Sequence, residues 1–299
     1  LSSIHTLIPD IYQLLKETQD GWFTDELAGD LSSSISRRLQ GQLGERREGK
    51  KATLRLSGLG SRCPRALWYS LHHPELAEAL PPWTKIKFAY GSIIEALIIP
   101  LAKAAGHEVT GEQDELRYDG IVGHRDCVID GCTVDVKSAT SLSFQKFKTR
   151  DYSVVDSFGY LEQLDGYVLA AADDPLVRVK DKGFLLPIDK QHGHIHLYEH
   201  QVTSARRDNL SERIRYYKTI QSMEHPPSCE CRTEPLGNAG NYKLHWTASY
   251  SAYKWECFPH LRAFKYSEGP VYLSKCVKRP TNKYGPIPEF NRHGKTVYH

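Results

Sequence analysis

The sequence predicts an α/β fold: a mixed central sheet with helices on both sides, a helical N-terminal segment and a C-terminal flap. Three observations lead there. Gly120 to Thr140, GIVGHRDCVIDGCTVDVKSAT, reads as a β-hairpin, because Asp130-Gly131 tolerates the positive φ that a two-residue type I′ turn demands. Gly91 to Ala105 reads as an apolar helix. Ser157 to Ala172 reads as a second helix, with strand-like segments following at Gly183 to Ile188 and His194 to Tyr198. The chain divides on this reading into residues 1–60, 61–225 and 226–299: helical segment with basic loop, core, and flap with basic tail.

Composition excludes some classes. Hydrophobic content of 40% and charged content of 25% over 299 residues are those of a soluble globular protein. No apolar run approaches the roughly 20 residues that span a bilayer. The chain opens with Leu1, as a trimmed sequence would, and no charged segment followed by an apolar one marks a secretion signal. Seven cysteines at scattered spacings do not make a disulfide framework, so reduced thiols in a cytoplasmic compartment are expected.

In chain order, Ile8, Ile11, Leu14 and Leu15 repeat at helical spacing up to the break at Asp20-Gly21. Leu27, Leu31, Ile35 and Leu39 make a second amphipathic pattern, read as a cap on the core. Residues 37–65 hold nine cations, with glycines at 41, 44 and 49 marking loop. Pro64 begins a helix carrying Trp68 and Tyr69, core or base-stacking residues. Pro100 should kink or end the helix from Gly91. Leu116 to Val122 leads into the hairpin, and Gly159 and Gly166 interrupt the helix from Ser157. His192, His194 and His196 would share a strand face, without a Cys or carboxylate pattern to make a metal site. Residues 204–223 read as a helix, and the tail from Lys275 as irregular and basic.

The hairpin concentrates the chemistry. If Asp130-Gly131 is the loop, Ile129 pairs with Cys132 and Asp126 lies opposite Asp135, with Cβ atoms roughly 5 Å apart. Alternation puts Asp135 and Lys137 on one face. Facing carboxylates repel unless a cation lies between them. Lys137 is one candidate and a divalent metal the better one, since hard oxygen ligands suit Mg²⁺ or Mn²⁺. Glu95 is the odd residue among Ile93, Ile94, Leu97 and Ile98, and a buried carboxylate is costly unless paired or bound to metal. Gln163 and Tyr167, four apart, share a helix face.

Asp126 followed by Asp135-Val136-Lys137 resembles the signature of the PD-(D/E)XK nuclease superfamily. Gly123-His124-Arg125-Asp126, the upstream acid Glu95 and Gln163-Leu-Asp-Gly-Tyr167 resemble its RecB-type exonuclease branch, over roughly Cys63 to Tyr167. The resemblance implies a restriction-endonuclease-like core. It implies one or two Mg²⁺ or Mn²⁺ ions held by Glu95, Asp126, Asp135 and the Val136 carbonyl. Lys137 would orient or deprotonate the attacking water, and Gln163 and Tyr167 would complete the site. DNA ends, single- or double-stranded, become the expected partner, in recombination, repair or phage DNA processing. Beside that signature the basic stretch reads as DNA contact through Arg46, Arg47, Lys50, Lys51, Arg62 and Arg65, with Lys146 and Lys148 as further candidates. A non-catalytic DNA-binding module and an endonuclease are the rivals.

The resemblance also raises an iron–sulfur cluster. Cys63-Pro64-Arg65 is similar to the segment supplying its first ligand. The closing frame Cys-x-x-Cys-x-Tyr-Lys-x-x-Cys appears here with Ala248 and Ser251 in place of two ligands, ending at Cys257. Ala cannot bind iron and Ser is a poor substitute. Cys229 and Cys231 would complete a set only if their loop folds back, so no cluster is expected.

Overall fold

The computed structural model describes residues 2–16, 21–43, 53–61, 63–149 and 151–297. Its helices are α1 Leu7–Lys16, α2 Asp25–Leu43, α3 Pro64–His72, α4 Pro82–Ala104, α5 Ser141–Phe147, α6 Tyr160–Ala170, α7 Ser204–Ser222, α8 Trp246–Ser249 and α9 Lys254–Cys257. The first seven strands are β1 Val109–Thr110, β2 Glu115–Tyr118, β3 Ile121–His124, β4 Cys127–Ile129, β5 Cys132–Ala139, β6 Lys182–Asp189 and β7 Tyr198–Gln201. The C-terminal strands are β8 Thr233–Leu236, β9 Asn241–Leu244, β10 Arg262–Tyr266, β11 Gly269–Lys275, β12 Thr281–Asn282, β13 Gly285–Pro286, β14 Glu289–Phe290 and β15 Thr296–Val297. Two compact units result. One comprises the described residues of Leu1–Lys50, Leu54–Gly60 and Pro81–Ile214; the other those of Lys51–Thr53, Ser61–Leu80 and Arg215–His299.

The first unit holds the predicted mixed sheet. Its sheet runs β1-β4-β5-β6-β7, mixed because β5 and β6 are parallel while the other pairs are antiparallel. Asp130 (φ 51°) and Gly131 (φ 76°) make the expected turn, and Ile129 pairs with Cys132. Alternation then sorts the side chains. Cys132, Val134 and Val136 of β5 join Phe184, Leu186 and Ile188 of β6 in a core with Leu7 and Ile11 of α1 and Ile98, Ile99, Leu101 and Ala102 of α4. The opposite face takes α6, whose Leu164 and Val168 press on Gly183 of β6. Helices thus cover both faces, as a parallel pair buried on both sides requires.

Local expectations change in four places. Pro100 neither ends nor breaks α4, which continues to Ala104. The lost hydrogen bond costs about 3 kcal/mol in an open helix, but the turn around it is buried on the sheet and packing outweighs it. Gly166 does not interrupt α6; it lies inside the helix, where an added Cβ would stand 3.2 Å from the Leu59 Cδ1 and 3.4 Å from the Leu56 Cδ2 and crowd them. Leu116 to Val122 forms a separate hairpin, β2 with β3, rather than one strand leading into the next. The strand expected at His194 to Tyr198 lies at Tyr198–Gln201, where it pairs with the first half of β6.

The second unit contains a six-stranded antiparallel sheet, ordered β15-β14-β10-β11-β9-β8. The tail read as irregular contributes β12 to β15. Leu244, Ala248 and Leu261 pack with Trp255, Phe258 and Tyr272, while Tyr250 is exposed. Lys254 is buried, with Glu78 as its ion-pair partner and the Tyr272 ring 4.9 Å away.

Gly123 of β3 supports the core from beneath. A Cβ there would stand 2.7 Å from the Leu56 Cβ and 2.9 Å from the Tyr167 Cε1. Gly123→Ala should destabilise the protein by roughly 1–3 kcal/mol, the usual range for overpacking. Chemical denaturation would read this directly; unchanged stability would mean that the close approach is not tight.

Candidate active site

The β4–β5 register puts Asp126, the residue before β4, on the side of the sheet that carries Asp135. The Asp126 Oδ2 accepts a hydrogen bond from the Val136 N–H at 2.7 Å. Asp135 is buried, and its Oδ2 lies 2.5 Å from the Lys137 Nζ as an ion pair without hydrogen-bond alignment. From α6, the Gln163 Nε2 donates to the Asp135 Oδ1 at 3.2 Å and to the Tyr167 hydroxyl at 2.9 Å, while its Oε1 accepts from Lys137 at 3.3 Å. Lys137 also lies over the Tyr160 ring, 4.5 Å from its centre. Tyr167 is 3% exposed.

Glu95 arrives from α4 by a different route. Its Oε1 accepts from the Gln113 Nε2 at 2.8 Å, and the same Gln113 nitrogen lies 3.4 Å from the Asp126 Oδ1, so the amide bridges the two acids. The Glu95 Oε1 also pairs with the Arg38 Nη1 of α2 at 2.5 Å. Gln113, Arg38 and Tyr160 were missed in the sequence reading. Arg38 stood in the basic stretch, where nothing distinguished it from its neighbours, and Gln113 lies in a left-handed turn conformation that its residue type does not announce.

Arg46, Arg47, Lys50, Lys51 and Arg62 lie outside the described residues. Arg65 belongs to the second unit and donates to the Pro227 carbonyl at 2.8 Å. Lys146 lies in the last turn of α5 and Lys148 caps it, 4.8 Å from the Phe144 ring centre. His192 hydrogen-bonds Asp189 and Ser141, and the three histidines form no metal-binding group among the described residues. A cavity of about 670 Å³ beside Ile4, Asp130 and Phe184 is lined by none of the predicted site residues.

The loop carrying Cys229 and Cys231 does fold back. The sulfurs of Cys63, Cys229, Cys231 and Cys257 lie within 4.8 Å of one another, all in the second unit. The condition set on the sequence for a complete four-thiol set is therefore met. Ala248, at a position of the expected frame, is buried in the apolar core instead.

The donor set around Asp126 fits a divalent cation. Burial pushes the Asp126 carboxyl up to about 7, helped by the charge of Glu95 and opposed by that of Lys137. Burial likewise raises Asp135 to about 6 against the pull of Lys137. Three carboxylates, Glu95, Asp126 and Asp135, face two cations, Arg38 and Lys137. A bound dication would turn that deficit into a surplus, which suits an anionic substrate. Lys137 itself stays an ammonium: burial pulls its pKa down, but the charges of Asp135 and Asp126 outweigh this and raise it.

No protein-family model matches the chain, and no curated protein sequence does. Among solved structures, the protein SSO0001 is similar at 16% identity and a TM-score of 0.40, over 76% of this chain and 95% of its own. An alkaline exonuclease (LHK-Exo) from Laribacter hongkongensis is similar at 11% identity and a TM-score of 0.37, over 64% of this chain and 92% of its own.

The raised carboxyls set a pH dependence. Their ordinary value is 3.8 and their folded values about 7 and 6, so with metal removed they weaken the fold progressively as pH rises from about 4 through 7. Added Mn²⁺ should therefore raise the melting temperature more at pH 8 than at pH 5. An equal shift at both values, measured against EDTA, would contradict these protonation states.

Proposed function

We propose that the chain is a metal-dependent deoxyribonuclease of the PD-(D/E)XK superfamily, RecB-type branch, that hydrolyses phosphodiester bonds from DNA ends. The observation that carries the reading is the adjacent pair Asp126 and Asp135, with Lys137 held 2.5 Å from Asp135 and Gln163 linking both. A structural hairpin has no use for a buried acid, Asp135, beside a half-buried one, Asp126, on one face.

Glu95, Asp126, Asp135 and the Val136 carbonyl would hold one or two Mg²⁺ or Mn²⁺ ions. Such an ion supplies a Lewis acid for the phosphoryl oxygen and acidifies the attacking water. Lys137 would orient or deprotonate that water and stabilise charge developing on the phosphoryl oxygens. Gln163 keeps Lys137 and Asp135 aligned, and Tyr167 fixes Gln163. The basic residues Arg46, Arg47, Lys50, Lys51, Arg62, Arg65, Lys146 and Lys148 would supply sequence-independent affinity for phosphates. Recombination, repair or phage DNA processing in a cytoplasm is the setting that the exonuclease resemblance supports.

End-labelled single- and double-stranded DNA, digested in Mg²⁺, Mn²⁺ or EDTA, tests the reading. Metal-dependent release of short products from an end is expected. Lys137→Ala should lower the rate by about 10²-fold or more, in the range of groups acting directly on the reacting atoms, with DNA binding retained. Cleavage of a covalently closed circle would favour the endonuclease reading, and binding without cleavage the non-catalytic one. Replacing Arg46, Arg47, Lys50 and Lys51 by Ala should weaken DNA binding and flatten its salt dependence; an unchanged salt slope would remove the patch from the interface.

A further inference from the structure

We propose that Cys63, Cys229, Cys231 and Cys257 form a closed tetrathiolate site for a single tetrahedral metal ion, zinc by its chemistry, and that this ion replaces the iron–sulfur cluster implied by the family resemblance. The inference is independent of the nuclease reading.

The size of the site carries it. Cys63 lies 3.9 Å from Cys229 and 3.8 Å from Cys257, sulfur to sulfur, and all four sulfurs fall within 4.8 Å of one another. Thiolates bound to one tetrahedral ion at about 2.3 Å stand roughly 3.8 Å apart. In a four-iron cluster each thiolate binds a different iron, so the sulfurs must stand apart by the width of the cluster as well. The observed grouping has room for an ion at its centre and not for a cluster.

The surroundings agree. Cys63 and Cys257 are buried and Cys229 and Cys231 half-buried, which makes the site closed, as structural zinc sites are. Backbone N–H groups point at the sulfurs: Cys231 N–H at the Cys229 Sγ, 3.4 Å away, and Ala66 N–H at Cys63. Such bonds stabilise thiolates and orient them as ligands. The segments that bring the thiols in are pinned independently, by Arg65 to the Pro227 carbonyl at 2.8 Å and Trp68 Nε1 to the Met223 carbonyl at 2.9 Å. The site joins the start of α3, the loop before β8 and the end of α9. An ion there would tie together segments far apart in sequence and so stabilise the second unit.

The test uses the full chain carrying Asp126→Ala and Asp135→Ala, so that the oxygen ligands of the other site cannot contribute. The protein is made with iron and zinc both supplied and purified without oxygen, and its metal and acid-labile sulfide are measured. About one zinc per chain, with no sulfide and no visible absorption, is expected for a site of this kind. Adding Cys229→Ser and Cys231→Ser should abolish that zinc; retained zinc would overturn the assignment. Should that variant fail to fold, X-ray absorption at the zinc edge of the protein with all cysteines intact decides. Four sulfur neighbours at about 2.3 Å support the site, and nitrogen or oxygen neighbours overturn it. Iron with sulfide overturns it in favour of a cluster, and four metal-free thiols or disulfides overturn it outright.

Discussion

The register of β4 on β5 governs the whole first unit. Side chains on a strand alternate with a period of two, so a slip of one residue would exchange the two faces of β5. Val134 and Val136 would leave the core they form with α1 and α4, and Asp135 would be driven into it. The Asp130-Gly131 turn prevents this by fixing Ile129 against Cys132. The apolar pattern and the turn enforce the same pairing, and both must fail before the acids separate. The site is thus a by-product of correct folding: the pairing that fills the core on one face places Asp126 beside Asp135 on the other.

Desolvation of those acids creates the constraint that the neighbours answer. A desolvated carboxylate tends to take up a proton, which would disable it as a metal ligand. Lys137 opposes that tendency for both acids, and the Val136 N–H opposes it for Asp126. Glu95 adds a third negative charge and would worsen the problem, but Arg38 and Gln113 take up its Oε1. Arg38 therefore competes with any cation for Glu95.

The legibility of these features follows the range of the interactions behind them. The hairpin, its register and the shared face of Gln163 and Tyr167 depend on neighbours in sequence, and alternation or helical spacing reveals them. The same holds for the apolar runs that cover the sheet on both faces. Arg38 and Gln113 meet Glu95 only through the docking of α2 on α4 and through a turn at positive φ, and neither leaves a periodic trace. A helix end at Pro100 and an interruption at Gly166 are what an isolated helix would show. In the fold, one is buried in a packed turn and the other makes room for Leu56 and Leu59.

The cysteines show the limit of spacing as a guide. The expected frame directed attention to positions 248 and 251, where two ligands are missing, while replacements stood at 229 and 231 in a different segment. A coordination set is defined by where atoms meet, so a ligand can move along the sequence provided the chain returns it to the same place. The two polar centres that result differ in kind. Carboxylates and a peptide carbonyl are hard donors that suit Mg²⁺ or Mn²⁺; four thiolates are soft and select zinc or iron. Donor chemistry would keep hard Mg²⁺ from the four thiolates, but a carboxylate site binds Zn²⁺ more tightly than Mn²⁺, so metal availability rather than donor type would decide which ion the carboxylates hold.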